Sequence, residues 1–408
     1  MEDVGAPNPS VRRAMFKNIG LLAGCEALGI STSALVITVT ALIGHHLADT
    51  KSLATLPLAL QFLTIMGSTV PASYLMKYHG RRVGFLLGAF LGIVSGLVGA
   101  YAIYIEAFAL FCLASVLFGA STVFVQYYRF AAVELAGEAY KSRAISLSLS
   151  GGIVAAFLGP ELAKVTRELF PAHEFAGTYL ALSGLFAALM LVISVIRFPT
   201  PTEEERRERG RPLADIIRRP TFLVAVFCAA IGYGAMNFLM SATPLAMTAH
   251  GHSFDSAAIV IQWHIVGMYA PSLVTGHLIH KFGVVRVLIA GVLMMFVCVV
   301  INLSGTSFIK FWFGLVALGI AWNFMFIGGT MLLTESYSPA EKAKVQALND
   351  FLVFGTISFT AMMSGTTFHF FGWMFLNVSI LVPVGLCLCA VLWFRQARAK
   401  AAHAQPTL

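Results

Sequence analysis

Charge is what this sequence lacks. Only 11% of its 408 residues are Asp, Glu, Lys or Arg, against about 25% in soluble domains, so the chain cannot build an ordinary water-facing surface. Hydrophobic residues make up 58%, more apolar area than a globule of this length hides. Acids are the scarcer charge, 19 against 27 bases, for a net charge of +8. That excess does not mark a nucleic-acid binder, because the bases stand between apolar runs rather than on one face. Cysteine is sparse as well. Cys25, Cys112, Cys228, Cys298, Cys387 and Cys389 all lie in apolar stretches and read as small buried side chains, not as a disulfide or zinc framework. No Walker loop, HExxH or nucleotide-binding fingerprint occurs, which argues against a pump, a membrane enzyme or a bound cofactor. No cleavable leader is expected either. Residues 1–10 are polar, Arg12, Arg13 and Lys17 follow, and a long apolar run begins, so the first helix serves as its own targeting signal.

What remains is an integral membrane protein. Stretches free of Asp, Glu, Lys and Arg run over 27–48, 52–76, 83–105, 107–128, 144–160, 175–196, 220–254, 256–280, 287–309, 311–334 and 351–394. Each of the first ten suits one crossing of about 20 residues. The last is long enough for two, with Phe370-Phe371-Gly372-Trp373 as a turn carrying interfacial aromatics. Twelve helices are therefore expected. Placing both termini in the cytoplasm puts 23 of the 27 Lys and Arg on the inner side and leaves Lys51, Lys164, Arg167 and Lys310 outside, as the positive-inside rule requires.

One long charged segment interrupts this pattern, FPTPTEEERRERGRPLADIIRRP at 198–220. It reads as a linker between halves 1–197 and 221–408, and the halves carry traces of duplication. After the second helix the chain has Gly80-Arg81-Arg82, and after the eighth Lys281-Phe282-Gly283, with the glycines 203 residues apart. Glu134, Lys141 and Arg143 recur as Glu335, Lys342 and Lys344 at an offset of 201. At the two turns Gly permits a positive φ, and the arginines hold the loop on the inner side.

Twelve helices in two related halves, a charged central loop and these Gly/Arg turns resemble the major facilitator superfamily along the whole chain. The resemblance implies an all-α membrane fold and alternating access without bond chemistry. Gly80-Arg81-Arg82 matches the end of the family's Gly-x-x-x-Asp-Arg-x-Gly-Arg-Arg loop, but Lys77 and His280 stand where the acid is expected. In the family that acid helps latch the halves, so the latch here is weaker or uses other residues. The proton-coupled drug-exporter signature is half absent: helix 4 offers Ser115 and Phe118 in place of Arg and Gln, while helix 5 keeps Gly151-Gly152 and Gly159-Pro160. The run Asn237-Phe-Leu-Met-Ser-Ala-Thr-Pro244, with Gly251-His252 and Gln262-Trp263-His264, is similar to a bacterial branch that contains riboflavin transporters. That resemblance implies uptake of a planar metabolite such as riboflavin across the bacterial inner membrane, by a monomer and with protons as a possible coupling ion. Efflux of drugs or other hydrophobic small molecules is the alternative, and a transporter-like receptor a third reading, disfavoured by short tails.

Polar residues at membrane depth carry any mechanism, since a charge there costs about 3 kcal/mol. Glu26 shares a helical stripe with Ser33 and Thr40 and is the candidate proton carrier; its bland reading is a carboxylate near the inner end, paired with Lys17 or a neighbouring helix. Asp350, next to Asn349, is an interdomain latch or a binding residue. Glu161 is expected to pair on the surface with Lys164 at i+3. Gln61, Asn237, Gln262, Trp263, His264, Trp322 and Asn323 are the substrate-binding candidates, because amides and an indole read a planar heterocycle by edge hydrogen bonds and stacking. Gly80, Arg81, Arg82 and Gly283 are gating candidates. Tyr127, Tyr128 and Arg129 read as an interface belt with a snorkelling arginine rather than a substrate clamp, and His45, His46, His250 and His252 as headgroup-level residues rather than metal ligands.

Overall fold

The computed structural model describes residues 9–49, 53, 56–136, 140–200, 203 and 210–404. Lys51, Arg206, Arg207 and Arg209 lie outside the described residues, as do the side chains of Arg12 and His45. Among the described residues the structure is helical, without strands. Ten stretches make single spans: α1 (Pro9–Leu47), α2 (Leu56–His79), α3 (Arg81–Tyr104), α4 (Phe108–Leu135), α5 (Lys141–Thr166), α6 (Ala176–Val195), α7 (Pro220–Ala249), α8 (Ser256–Phe282), α9 (Val284–Leu303) and α10 (Phe308–Thr334). An eleventh apolar stretch, Pro339–Lys400, is too long for one crossing. Gly372 breaks it, at φ 75° and ψ −178°, a conformation open essentially to glycine alone. Helices α11 (342–371) and α12 (373–404) meet there, at the turn expected from Phe370 to Trp373.

Contacts between Cα atoms group the chain into two units, 1–68 with 74–202 and 69–73 with 203–408. Within the first, α1 packs on α4, α5 and α6, and α3 on α4 and α6. Within the second, α7 packs on α10, α11 and α12, and α9 on α10 and α12. The pairings α1/α4, α1/α5, α3/α4 and α3/α6 thus recur six helices later. So does the turn between the second and third helix of each unit: Gly80 has φ 87° and ψ 160°, Gly283 φ 85° and ψ 152°.

Lipid supplies no hydrophobic drive for helix to meet helix, so small residues do the packing. On α3, Gly84, Gly88, Gly92 and Gly96 recur every fourth residue, with Gly99 one turn on. A Cβ at Gly88 would strike the Phe124 ring at 2.7 Å, at Gly92 the Phe186 ring at 2.4 Å, and at Gly96 the Tyr179 carbonyl oxygen at 2.6 Å. This stripe lets α4 and α6 press against the α3 backbone. Gly151 and Gly159 do the same for α5 on α1, facing the Ala23 and Ser31 carbonyls. Among the described residues four spans are locally broken: α4 at Tyr127, α5 at Gly151, α8 at Ala270-Pro271 and α12 at Ile380.

The end of the linker is docked on the second unit. A short helical turn, Leu213–Ile217, buries Ile216 and touches α7 and α11. Ahead of it, Arg211 grips Glu341 in the 3-10 turn Pro339–Glu341 that leads into α11.

Candidate functional site

In the first unit, polarity collects where α1 meets α4. Glu26 is 4% exposed and its Oε2 has no hydrogen-bond partner among the described residues. Because α1 starts at Pro9, Glu26 lies about 26 Å along the axis at 1.5 Å per residue, near mid-helix and not at the inner end; Lys17 is exposed. The cation within electrostatic reach of Glu26 is Arg129, and Tyr128 is the neighbouring phenol. Arg129 donates to Gln126 Oε1 at 3.4 Å and sits over the Phe130 ring at 4.6 Å. The interface-belt reading of Tyr127, Tyr128 and Arg129 is therefore overturned, since all three are 2% exposed or less. The reason is the break at Tyr127: α4 continues as Tyr128–Leu135, so the triplet stands inside the span instead of closing it. Gln61 on α2 is also buried, with Oε1 unpartnered and its backbone carbonyl against Gly119 of α4.

Arg81, expected to hold its loop at the membrane surface, turns inward. Its Nη2 and Nε donate to the two carboxylate oxygens of Glu134 at 2.8 and 3.3 Å, and its guanidinium lies 5.4 Å from the Tyr127 ring. Arg82 donates to the Ser194 carbonyl, tying the α2–α3 turn to the end of α6. Glu161 pairs with Lys164 at 2.7 Å on the surface, as its spacing predicts.

The second unit builds an aromatic box around Trp322 of α10. Phe326 stacks on it at 4.9 Å and 16°, while Tyr233 of α7 and Tyr269 of α8 meet it edge-on at 5.3 and 5.5 Å. Phe354 of α11 closes on Tyr233. Trp322 is 1% exposed and its indole N–H has no acceptor among the described residues, an uncommon state for a buried donor. Sequence reading found Trp322 and missed Tyr233, Tyr269, Phe326 and Phe354, which come from four helices; only the i, i+4 spacing of Trp322 and Phe326 was visible.

The remaining candidates occupy distinct environments. His264 is fully buried, its Nδ1 against the Leu315 carbonyl at 2.7 Å and its Nε2 unpartnered. Asn323 is bound up by the break in α8: its Nδ2 donates to Met268 O and Ser272 Oγ, both at 2.6 Å, and Thr275 donates to its Oδ1 at 2.7 Å. Pro271 has no N–H to offer the helix, and Asn323 supplies hydrogen bonds around that gap. Asn237 reaches Ile357 O and Thr360 Oγ1 at 3.3 Å, joining α7 to α11. Gln262 is half-buried, and Trp263 is 45% exposed beside Trp312. Asp350 is fully buried and accepts from Asn349 at 2.7 Å. Cys389 is exposed and the other five cysteines buried; Cys228 and Cys387 touch at 3.5 Å. No group of three or more His, Cys, Asp or Glu placed to hold a metal occurs among the described residues.

Known proteins place this arrangement. A family model described as Major Facilitator Superfamily matches residues 21–271. The riboflavin transporter RfnT of Brucella anthropi is 38% identical over 393 residues, covering 96% of this chain and 99% of that protein. An uncharacterised MFS-type transporter of Bacillus subtilis, YdeG, is 27% identical over 85% and 84% of the two chains. Among solved structures, the transporter FucP in its outward conformation matches with a TM-score of 0.75 at 17% identity, over 94% of this chain and 99% of that one. Human organic anion transporter MFSD10 gives 0.73 at 13% identity, over 94% and 100%. These two likenesses concern the fold.

Proposed function

The chain belongs to the Major Facilitator Superfamily and is a multi-pass membrane transporter of a small solute, and from that premise we propose that it carries riboflavin, or a closely similar planar heterocycle, into a bacterial cell. The observation that carries this reading is the 38% identity to a riboflavin transporter over nearly both full lengths. The box around Trp322 supports it independently. Three rings from α7, α8 and α10 surround an indole whose N–H is unpartnered among the described residues, a setting suited to stacking on a flat ring system and donating to its edge. His264 Nε2, in the same unit, is a further group unpartnered among the described residues for a polar atom of the solute. Asn323 and Asn237, engaged with backbone and hydroxyls, serve as positioning residues rather than direct contacts.

Glu26 is the proton carrier in this scheme. Neutral when protonated and facing Arg129 when charged, it gives the loaded and empty carrier different charge at mid-helix, which biases reorientation. Asp350 acts as a latch of α11, and the basic turns lie on the cytoplasmic side with both termini, in the inner membrane. The transporter works as a monomer.

The test is uptake of labelled riboflavin by a riboflavin-auxotrophic bacterium expressing the chain, with a vector control and a protonophore. Growth rescue with protonophore-sensitive uptake is the expected outcome. Membrane expression without rescue or uptake refutes the substrate and brings drug efflux forward.

A further inference from the structure

At the end of the first unit away from the Gly80 turn, the end of α1, the end of α3 and the α5–α6 loop enclose a cavity of about 480 Å³. Its backbone is unusual. Among the described residues the non-glycine residues at positive φ are Glu106, at 55°, and Phe175, at 70°, and both line this cavity. Glu106 stands one residue past the C-cap of α3, with Ala107 N donating to Ala102 O at 2.8 Å and Glu106 N to Ile103 O at 3.3 Å, a helix end that glycine ordinarily makes. Phe175 opens α6. In the second unit the matching positions, past the C-cap of α9 and at the opening of α12, hold Gly305 and Gly372, also at positive φ. The duplicated frame therefore accepts glycine at both places, and the first unit puts side chains there against the preference of the backbone. Strain kept where glycine fits argues for a use of those side chains.

Glu106 is exposed, and its carboxylate has no partner among the described residues. Arg167 gives its Nε to Glu174 and lies over the Phe175 ring at 5.4 Å, which leaves its two Nη groups to donate elsewhere. His46 adds an exposed imidazole, while His173 is held against the Tyr104 ring at 4.6 Å. Ile43, Ile103 and Phe175 form a buried apolar floor. An available carboxylate and an available guanidinium in one cavity match a zwitterion, ammonium to the first and phosphate to the second. Depth in the bilayer selects the kind. Helix α3 has 24 residues, about 36 Å at 1.5 Å per residue against a hydrocarbon core of about 30 Å, so Glu106, just past its end, lies among the lipid headgroups. Tyr101 and Tyr104, both exposed, mark the same layer, and Leu42, exposed at the rim, meets the acyl chains. We propose that this cavity seats the headgroup of a zwitterionic aminophospholipid, with its ammonium on Glu106 and its phosphate on Arg167. The site is independent of the solute carried.

The full chain, delipidated in detergent, is titrated with dioleoyl phosphatidylethanolamine, and native mass spectra follow the retained lipid. A saturating adduct is expected. Dioleoyl phosphatidylcholine, whose quaternary nitrogen has no N–H, and dioleoyl phosphatidylglycerol, which has no cation, bind about fivefold more weakly or worse. Glu106→Gln and Arg167→Gln each raise the half-saturation concentration about fivefold, while Glu161→Gln, which breaks the exposed pair with Lys164 outside the cavity, leaves it unchanged. Glu106→Gly guards against misfolding: it relaxes the end of α3, raises the melting temperature and still loses the lipid. Equal affinity for the three lipids, or unchanged half-saturation in Glu106→Gln and Glu106→Gly, overturns the site. Free phosphoethanolamine that displaces the lipid at the lipid's own half-saturation concentration assigns the cavity to a soluble zwitterion and overturns the lipid.

Discussion

Replacing Glu341 with Gln isolates the contact that docks the linker on the second unit. The carboxylate accepts from Arg211 N and Nε at 2.7 Å each, from Arg211 Nη2 at 2.5 Å and from Ser338 N at 2.9 Å. Hydrogen bonding from Arg211, with a smaller contribution from the Ser338 N–H, holds the Glu341 carboxyl down from 4.5 to about 2. At 1.36 kcal/mol per unit, that shift is worth at most about 3 kcal/mol. Arg211 is 32% exposed, so solvent screening brings the expected loss in the Gln variant to about 2 kcal/mol. Because the folded-state value is depressed, the contribution is full above about 4.5 and disappears as pH falls through about 2. Thermal unfolding of both proteins in detergent reads this directly. At pH 7 the variant melts about 4–8 °C lower, and by pH 3 the difference shrinks to roughly half or less. An equal difference at pH 7 and pH 3, or none at pH 7, refutes the reasoning.

Three further outcomes are expected. Gly96→Val drives a side chain into the Tyr179 carbonyl and Ser183 and destabilises the first unit by about 1–3 kcal/mol or more, whereas Gly184→Ala, with open space at its Cβ inside α6, does not lower the melting temperature and raises it by the helix preference of alanine over glycine, up to about 1 kcal/mol. Trp322→Leu retains apolar bulk but removes stacking and the N–H, and raises KM for riboflavin uptake about tenfold; an unchanged KM excludes Trp322 from the site. Glu26→Gln abolishes concentrative uptake while sparing counterflow, and the idea fails if the mutant still accumulates solute against a gradient.

Much of the fold was legible because bilayer thickness writes it into run lengths. The spans, the turn at Gly372, the twin loop glycines and the Glu161–Lys164 pair all followed from spacing. Distance along the chain hid the rest. Glu341 finds Arg211 across 130 residues, and no local pattern announces it. The α3 glycines have a visible fourfold period, but Phe124, Phe186 and Tyr179 opposite them do not follow from it. Tyr127 carries neither proline nor glycine to flag a break, so Arg129 looked terminal when it is interior. Asn323 looked available because the gap it fills, at Pro271, lies in another helix. Hydropathy reports which residues avoid water; it is silent about which polar atoms already have partners.

The twin turns at Gly80 and Gly283 have nearly the same torsions, yet their charges are wired differently. In the first unit Arg81 at the turn engages Glu134; in the second Val284 stands at the turn, and Glu335, the repeat counterpart of Glu134, pairs with Arg398 of α12. Backbone shape outlived the duplication while the electrostatic wiring was reassigned. For anyone engineering the chain, this makes the halves unequal: a purification tag or truncation that removes Arg398 strips an ion pair from the second half, while the matching pair in the first is insulated from edits at either terminus.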